Sequence, residues 1–210
     1  MKKFLLTIAM ALSLLTANAA MVTVNWASNH SPNGGEFVLS DPLNITLPFN
    51  SFCLERNEYI NLGSTYSYTV SDRTDGGLSG PNDPISIGTA WLYSNFRNGG
   101  LAGYSSTTSQ QTDLQNTIWY LEGELTSLGN LSWLNLAQST LGGSVNLFSD
   151  ANGAYNVGVW NLFDANGGHA QSQLGAVPVP ETSTWVTGLA LLLPFGASTL
   201  RVLRPNKLFS

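Results

Sequence analysis

A chain of 210 residues with two histidines, one cysteine and only 10% charged residues offers few groups for acid–base or metal chemistry. Between Ala20 and Pro180 the cations are Arg56, Arg73 and Arg97 against twelve acidic residues, a net charge of −9. That balance excludes a nucleic-acid surface, which needs clustered cations to displace counterions.

The chain opens Met1-Lys2-Lys3, continues through an apolar stretch from Phe4 to Leu15, and then reads Thr16-Ala17-Asn18-Ala19-Ala20. Two lysines, an apolar core too short to span a bilayer and small residues at Ala17 and Ala19 are the parts of a secretory signal peptide, with cleavage after Ala19. The mature region, 20–176, is long enough for one domain with a core of its own.

Within that region Met21–Trp26 alternates apolar and polar residues as a strand does, and Glu36–Leu39 and Leu43–Leu47 read as two more. Phe49–Leu54 is a short apolar run that carries Cys53. Thr65–Val70, with Tyr66, Tyr68 and Val70 alternating, predicts a strand, and the Gly, Asp, Asn and Pro residues of Asp72–Pro84 predict a loop. The period then lengthens. Ile85–Arg97 reads as a helix stopped by Asn98-Gly99-Gly100. A second helix begins between Thr108 and Thr112 and runs through Leu121, with Leu114, Ile118 and Leu121 on one buried stripe. Leu131–Leu141 is a third helix, ended by Gly142-Gly143. Val145–Phe148 and Val159–Phe163 read as strands, each followed by Asp-Ala-Asn-Gly, which supplies turn geometry rather than a calcium loop because no closing Glu follows. The expected fold class is α+β, mostly β, with strands flanking a central helical insert.

The C-terminal stretch, 177–210, is a tail rather than part of the domain. Pro178-Val179-Pro180-Glu181 leads into a largely apolar segment from Trp185 to Leu203, and Arg201, Arg204 and Lys207 close the chain. At about 1.5 Å per residue this segment reaches across most of a hydrocarbon core, with the basic cluster on the inner side. Pro180-Glu181, one apolar helix and a basic end resemble the PEP-CTERM sorting signal of bacteria that make an exopolysaccharide matrix, although residue 182 is Thr where the family has a second Pro. The resemblance implies recognition by an exosortase-type sorting peptidase near Pro180 and Glu181. It further implies transient membrane anchoring, then delivery to the cell surface or matrix with exopolysaccharide among the partners.

A lone cysteine in an exported chain is a buried small hydrophobe, a link to a second chain, or one end of a covalent bond within its own chain. The third reading needs an electrophile. Gln115 lies beside the buried helical stripe with Trp119 one turn on. A thiol attacking its carboxamide with loss of ammonia would give an intramolecular thioester, a reaction that becomes accessible only when both groups are held in near-attack geometry. Phe52-Cys53-Leu54 followed by Leu114-Gln115-Asn116-Thr117-Ile118-Trp119 resembles the thioester domain of bacterial surface adhesins, which pairs an aromatic-Cys-apolar motif with a Gln-x-x-apolar-Trp helix. The resemblance implies a Cys53–Gln115 bond supported by Phe52, Leu54, Ile118 and Trp119. It also implies covalent attachment to an amine-bearing surface or matrix partner, without catalytic turnover, metal or cofactor. The chain's lysines are Lys2, Lys3 and Lys207, so the mature domain has no side-chain amine of its own to acylate.

The rival expectation is a passive structural or carbohydrate-binding matrix protein, to which six tryptophans lend some support. A hydrolase lacks a G-x-S-x-G elbow. His30 and His169 read as surface residues, and Glu122 and Glu124, at i and i+2, as solvated residues at a helix end.

Overall fold

The computed structural model describes residues 20–31, 34–41, 48–78 and 80–177. The signal peptide expected over residues 1–19, the strand expected at Leu43–Leu47, and the expected sorting tail with Pro180, Glu181, Arg201, Arg204, Lys207 and its apolar segment lie outside the described residues. Among the described residues no helix is long and apolar enough to cross a membrane.

The described residues are α+β and mostly sheet, with three α-helices. Six antiparallel strands form one sheet in the order β3-β2-β1-β4-β7-β8, where β1 is Met21–Trp26, β2 Phe37–Ser40, β3 Phe49–Ser51, β4 Thr65–Ser71, β7 Val157–Phe163 and β8 His169–Ala176. Strands β5 (Arg73–Thr74) and β6 (Asp83–Pro84) make a separate two-stranded ribbon. Past Ser51 the chain stays extended and pairs with β8: Leu54 N–H donates to Ser172 C=O and Leu174 N–H to Phe52 C=O, both at 3.0 Å. The two outer strands of the sheet therefore meet, and the sheet returns on itself at Cys53, which is bridged to Gln173.

Alternation along each strand sorts side chains into two cores. Val22, Val24, Phe37, Leu39, Cys53, Tyr66, Trp160 and Leu162 form an inner, strand-lined cluster with Trp119. Phe52, Leu54, Val157, Val159 and Leu174 face the other way and meet the helices. Tyr68 stacks on Trp160 with centroids 4.2 Å apart, and Phe49 meets the same ring edge-on at 4.9 Å.

Helix α1 is Ile87–Arg97, α2 Thr108–Leu121 and α3 Ser132–Leu141. Ser86 caps α1 by accepting from Thr89 N–H, and Thr107 caps α2 by accepting from Gln110 N–H. The stripe expected on α2 is the one observed, with Leu114, Ile118 and Leu121 all buried in the helix-side core.

Three expectations are corrected. Val145–Phe148 is a pair of turns rather than a strand: Leu147 alone is buried there, as a plug in the helix-side core, and Phe148 is exposed. His169, which reads as a surface residue, opens a strand, β8 (His169–Ala176), and is itself exposed. The Asp72–Pro84 loop contains the β5–β6 ribbon. Glu124 is buried and Glu122 half-buried, so neither is a freely solvated residue at a helix end. Glu122 accepts from Ser86 N–H and Oγ–H at 3.1 and 2.8 Å, and burial pushes its carboxyl up to about 7. Glu124, buried, accepts from the backbone N–H groups of Arg56 and Leu78 at 2.9 and 3.0 Å. The two carboxylates tie neighbouring loops to the end of α2.

Candidate functional site

The bonds flanking the Cys53–Gln173 bridge run between residues 52, 54, 172 and 174. This makes Cys53 and Gln173 a non-hydrogen-bonded antiparallel pair, so the N–H and C=O of Cys53 point away from β8. On the far side the β2–β3 ladder would continue from Phe37↔Ser51 to place residue 35 opposite Cys53. The chain diverges there instead, through Gly34 and Gly35 at φ +85° and +143°. Gln115 of α2 occupies the vacated place. Its Oε1 accepts from Cys53 N–H at 3.1 Å and its Nε2 donates to Cys53 C=O at 2.7 Å. One carboxamide thus does what a neighbouring strand would do.

This clasp brings Cys53 Sγ within 3.3 Å of Gln115 Oε1 across 62 positions of sequence. Both residues are fully buried. Two backbone anchors fix the carboxamide's position and plane, leaving the thiol beside the carbonyl it would attack. In free solution a thiol and a carboxamide meet rarely and react slowly; holding them together removes the entropic part of that barrier.

Burial raises the Cys53 thiol well above its ordinary value, and the charge of Glu55 pushes the same way, while its backbone N–H and the Trp119 indole act in the opposite sense. The sulfur is therefore held as a neutral thiol. Glu55 is itself 1% exposed; its Oε2 accepts from Ser172 N–H at 2.7 Å, and burial pushes its carboxyl up to about 7.

Trp119, which shares a core cluster with Cys53, also lines a cleft of about 640 Å³ whose walls include Trp26, Phe37, Arg56, Glu58 and Tyr59. The ring is 7% exposed, so it belongs both to the inner core and to the cleft floor. Gly34 lets it lie there. A Cβ on Gly34 would fall 2.8 Å from Trp119 Cη2 and 3.3 Å from Gln115 Cγ. Gly34→Ala should accordingly cost about 3 kcal/mol, combining a left-handed backbone with a displaced ring and carboxamide. Urea denaturation of the variant checks this, and an unchanged midpoint would mean that Trp119 does not rest against Gly34.

Of the six residues expected at the site, the structure brings Cys53, Gln115 and Trp119 together. Phe52, Leu54 and Ile118 instead pack in the helix-side core and hold the two segments in place. His30 and His169 are exposed and make ring contacts with Trp26 and Phe163. Among the described residues no group of three or more His, Cys, Asp or Glu side chains could hold a metal ion. Gly34, Glu55 and β8 were not foreseen. Gly34-Gly35 was the available signal for the first, since paired glycines mark close backbone approach.

No protein-family model matches the chain, and neither a curated protein nor a solved structure is similar to it.

Proposed function

We propose that this is an exported surface or matrix protein whose folded domain stores an acyl group as a Cys53–Gln115 thioester and attaches through it to an amine on a partner. The observation that carries the reading is the clasp: a fully buried carboxamide held at both ends by the backbone of the residue whose thiol lies 3.3 Å from its oxygen. In the forming step the Cys53 sulfur bonds to the Gln115 side-chain carbon, the carbon–nitrogen bond breaks, and the thiol proton leaves with ammonia. In the coupling step an amine nitrogen bonds to that carbon, the sulfur–carbon bond breaks, and the thiol is restored. Each molecule reacts once, so the protein is a covalent tether and not an enzyme.

Burial supports the reading further, because a thioester kept from water survives until an acceptor reaches it. Trp119 is the side chain that an incoming amine must pass, and the cleft outside it is the approach. The basic leader at Lys2-Lys3 and the Pro180-Glu181 tail supply export and surface sorting in this proposal, with an exosortase-type peptidase acting on the tail.

Intact mass spectrometry and methylamine treatment test the chemistry together. The purified domain should lack the mass of one ammonia and should incorporate methylamine at Gln115, with one thiol appearing for each amine gained. A full mass and a thiol already free would sink the proposal. A passive carbohydrate-binding role would then rest on the aromatic walls of the cleft, Trp26, Phe37 and Tyr59, and glycan binding would report it.

A further inference from the structure

Gln173 lies directly across the ladder from Cys53. In a non-hydrogen-bonded antiparallel pair the two Cβ atoms sit about 4.5–5.5 Å apart on the same face. The assignment of faces agrees: Phe52, Leu54 and Leu174 join the helix-side core, whereas Cys53 joins the inner cluster, so Gln173 turns inward with the sulfur. Its side chain is fully buried, yet neither Nε2 nor Oε1 has a hydrogen-bond partner. The adjacent polar residues of β8 differ. Gln171 donates to the carbonyls of Glu55 and Glu58, and Ser172 Oγ–H donates to Asn161 Oδ1. A buried carboxamide with both ends unmade destabilises a fold. An apolar side chain of similar size would serve the core better, so folding alone gives no reason for Gln at 173.

The chemistry of the sulfur gives one. We propose that Gln173 stabilises the Cys53 sulfur while it carries charge, during formation of the thioester and again when an amine opens it; the inference rests on the thioester reading above. In the first step the sulfur gives up its proton as the sulfur–carbon bond forms, and that proton leaves with ammonia. In the second, sulfur departs from the Gln115 carbon as a thiolate and regains a proton from the ammonium formed by the attacking amine. Both steps pass through a charged sulfur in a place without water, where a donor aimed at developing charge is most effective. An Nε2–H of Gln173 rotated toward the sulfur is such a donor. Trp119 Nε1–H, buried in the same cluster and without a hydrogen-bond partner of ordinary geometry, is positioned to be a second.

Gln173→Leu separates this role from packing, with Gln173→Met as the second variant should the first fail to fold. The variant should keep or raise the Tm. Its methylamine incorporation, followed by mass, should slow by about tenfold to a hundredfold. In protein whose thiol is free, whether opened by methylamine or never bonded, the thiolate ultraviolet absorbance should titrate about one pH unit higher than in the parent. Unchanged rate and unchanged titration overturn the proposal. If the parent protein shows no ammonia deficit, the thioester reading falls separately; the titration alone then decides, a shift supporting Gln173 as the sulfur's donor and no shift overturning it.

Discussion

Cys53→Ala should unfold at lower denaturant than the parent by about 4 kcal/mol, and methylamine treatment of the parent should cost about as much. A Cys53–Gln115 bond closes a loop of 62 positions, and removing loop-closure entropy from the unfolded chain is worth about that amount on the usual chain-entropy scale. The thiol itself contributes little, since Cys53→Ala leaves the backbone clasp intact. Gln115→Ala should be worse than either. It abolishes the bond and also strips the buried Cys53 N–H of its acceptor, Gln115 Oε1, at a cost of about 1–3 kcal/mol; relative to Cys53→Ala, which keeps the whole carboxamide, it further strips Cys53 C=O of its donor. The ordering parent, then Cys53→Ala, then Gln115→Ala, read by urea unfolding with the mass of each protein in hand, is the expected outcome. Equal stability of parent and Cys53→Ala would mean that no bond is stored.

Glu55 predicts the second large effect, a stability that falls as pH rises from about 4.5 to about 7. Its carboxyl is pushed from an ordinary 4.5 up to about 7 by burial, with one oxygen unpaired. Between those values the folded protein keeps a proton that the unfolded chain has lost. Unfolding therefore releases a proton, and stability declines from about pH 4.5 to pH 7 and levels off above. The shift corresponds to about 3 kcal/mol. Glu122, raised to about 7 by burial, contributes in the same direction. Glu55→Gln, a neutral isostere, should flatten the slope and gain most above pH 7. Parallel pH profiles for variant and parent, measured by chemical denaturation, would show that Glu55 ionises freely in the fold. The same substitution removes the charge that most raises the Cys53 thiol after burial itself.

Where hydrophobic period decides structure, the chain was readable. Leu114, Ile118 and Leu121 mark α2, and the alternation in Met21–Trp26 and Thr65–Val70 marks β1 and β4 within a residue. Segment β8 was not, because Gln171, Ser172 and Gln173 are buried polar residues with no apolar alternation, and period analysis counts such residues as exposed. Val145–Phe148 departs the other way: its apolar residues predict a strand, but Leu147 is a buried plug and Phe148 faces solvent. The site divides along the same line. Cys53 and Gln115 stood out by chemistry and by their flanking residues. Their clasp could not be read, because it depends on β2 diverging at Gly34-Gly35, on Cys53 presenting its backbone away from an unforeseen β8, and on Glu55 and Glu124 being drawn inward by backbone N–H groups. Glu122 and Glu124 look solvated from sequence since charge favours water; each is kept inside by donors that come from remote loops.

Closure of the sheet through residues 52–54 bears on how a sheet with so few charges is kept from pairing with other copies. An open sheet exposes two unpaired borders that recruit strands from other molecules, and proteins usually guard them with lysine or proline. Residues 20–176 contain no lysine, and charged residues make up 10% of the chain. Here residues 52–54, which continue β3, pair with 172–174 of β8, and on its other side the backbone of Cys53 is capped by a glutamine side chain. Resistance to strand-by-strand aggregation is thereby written into the topology instead of the surface charge.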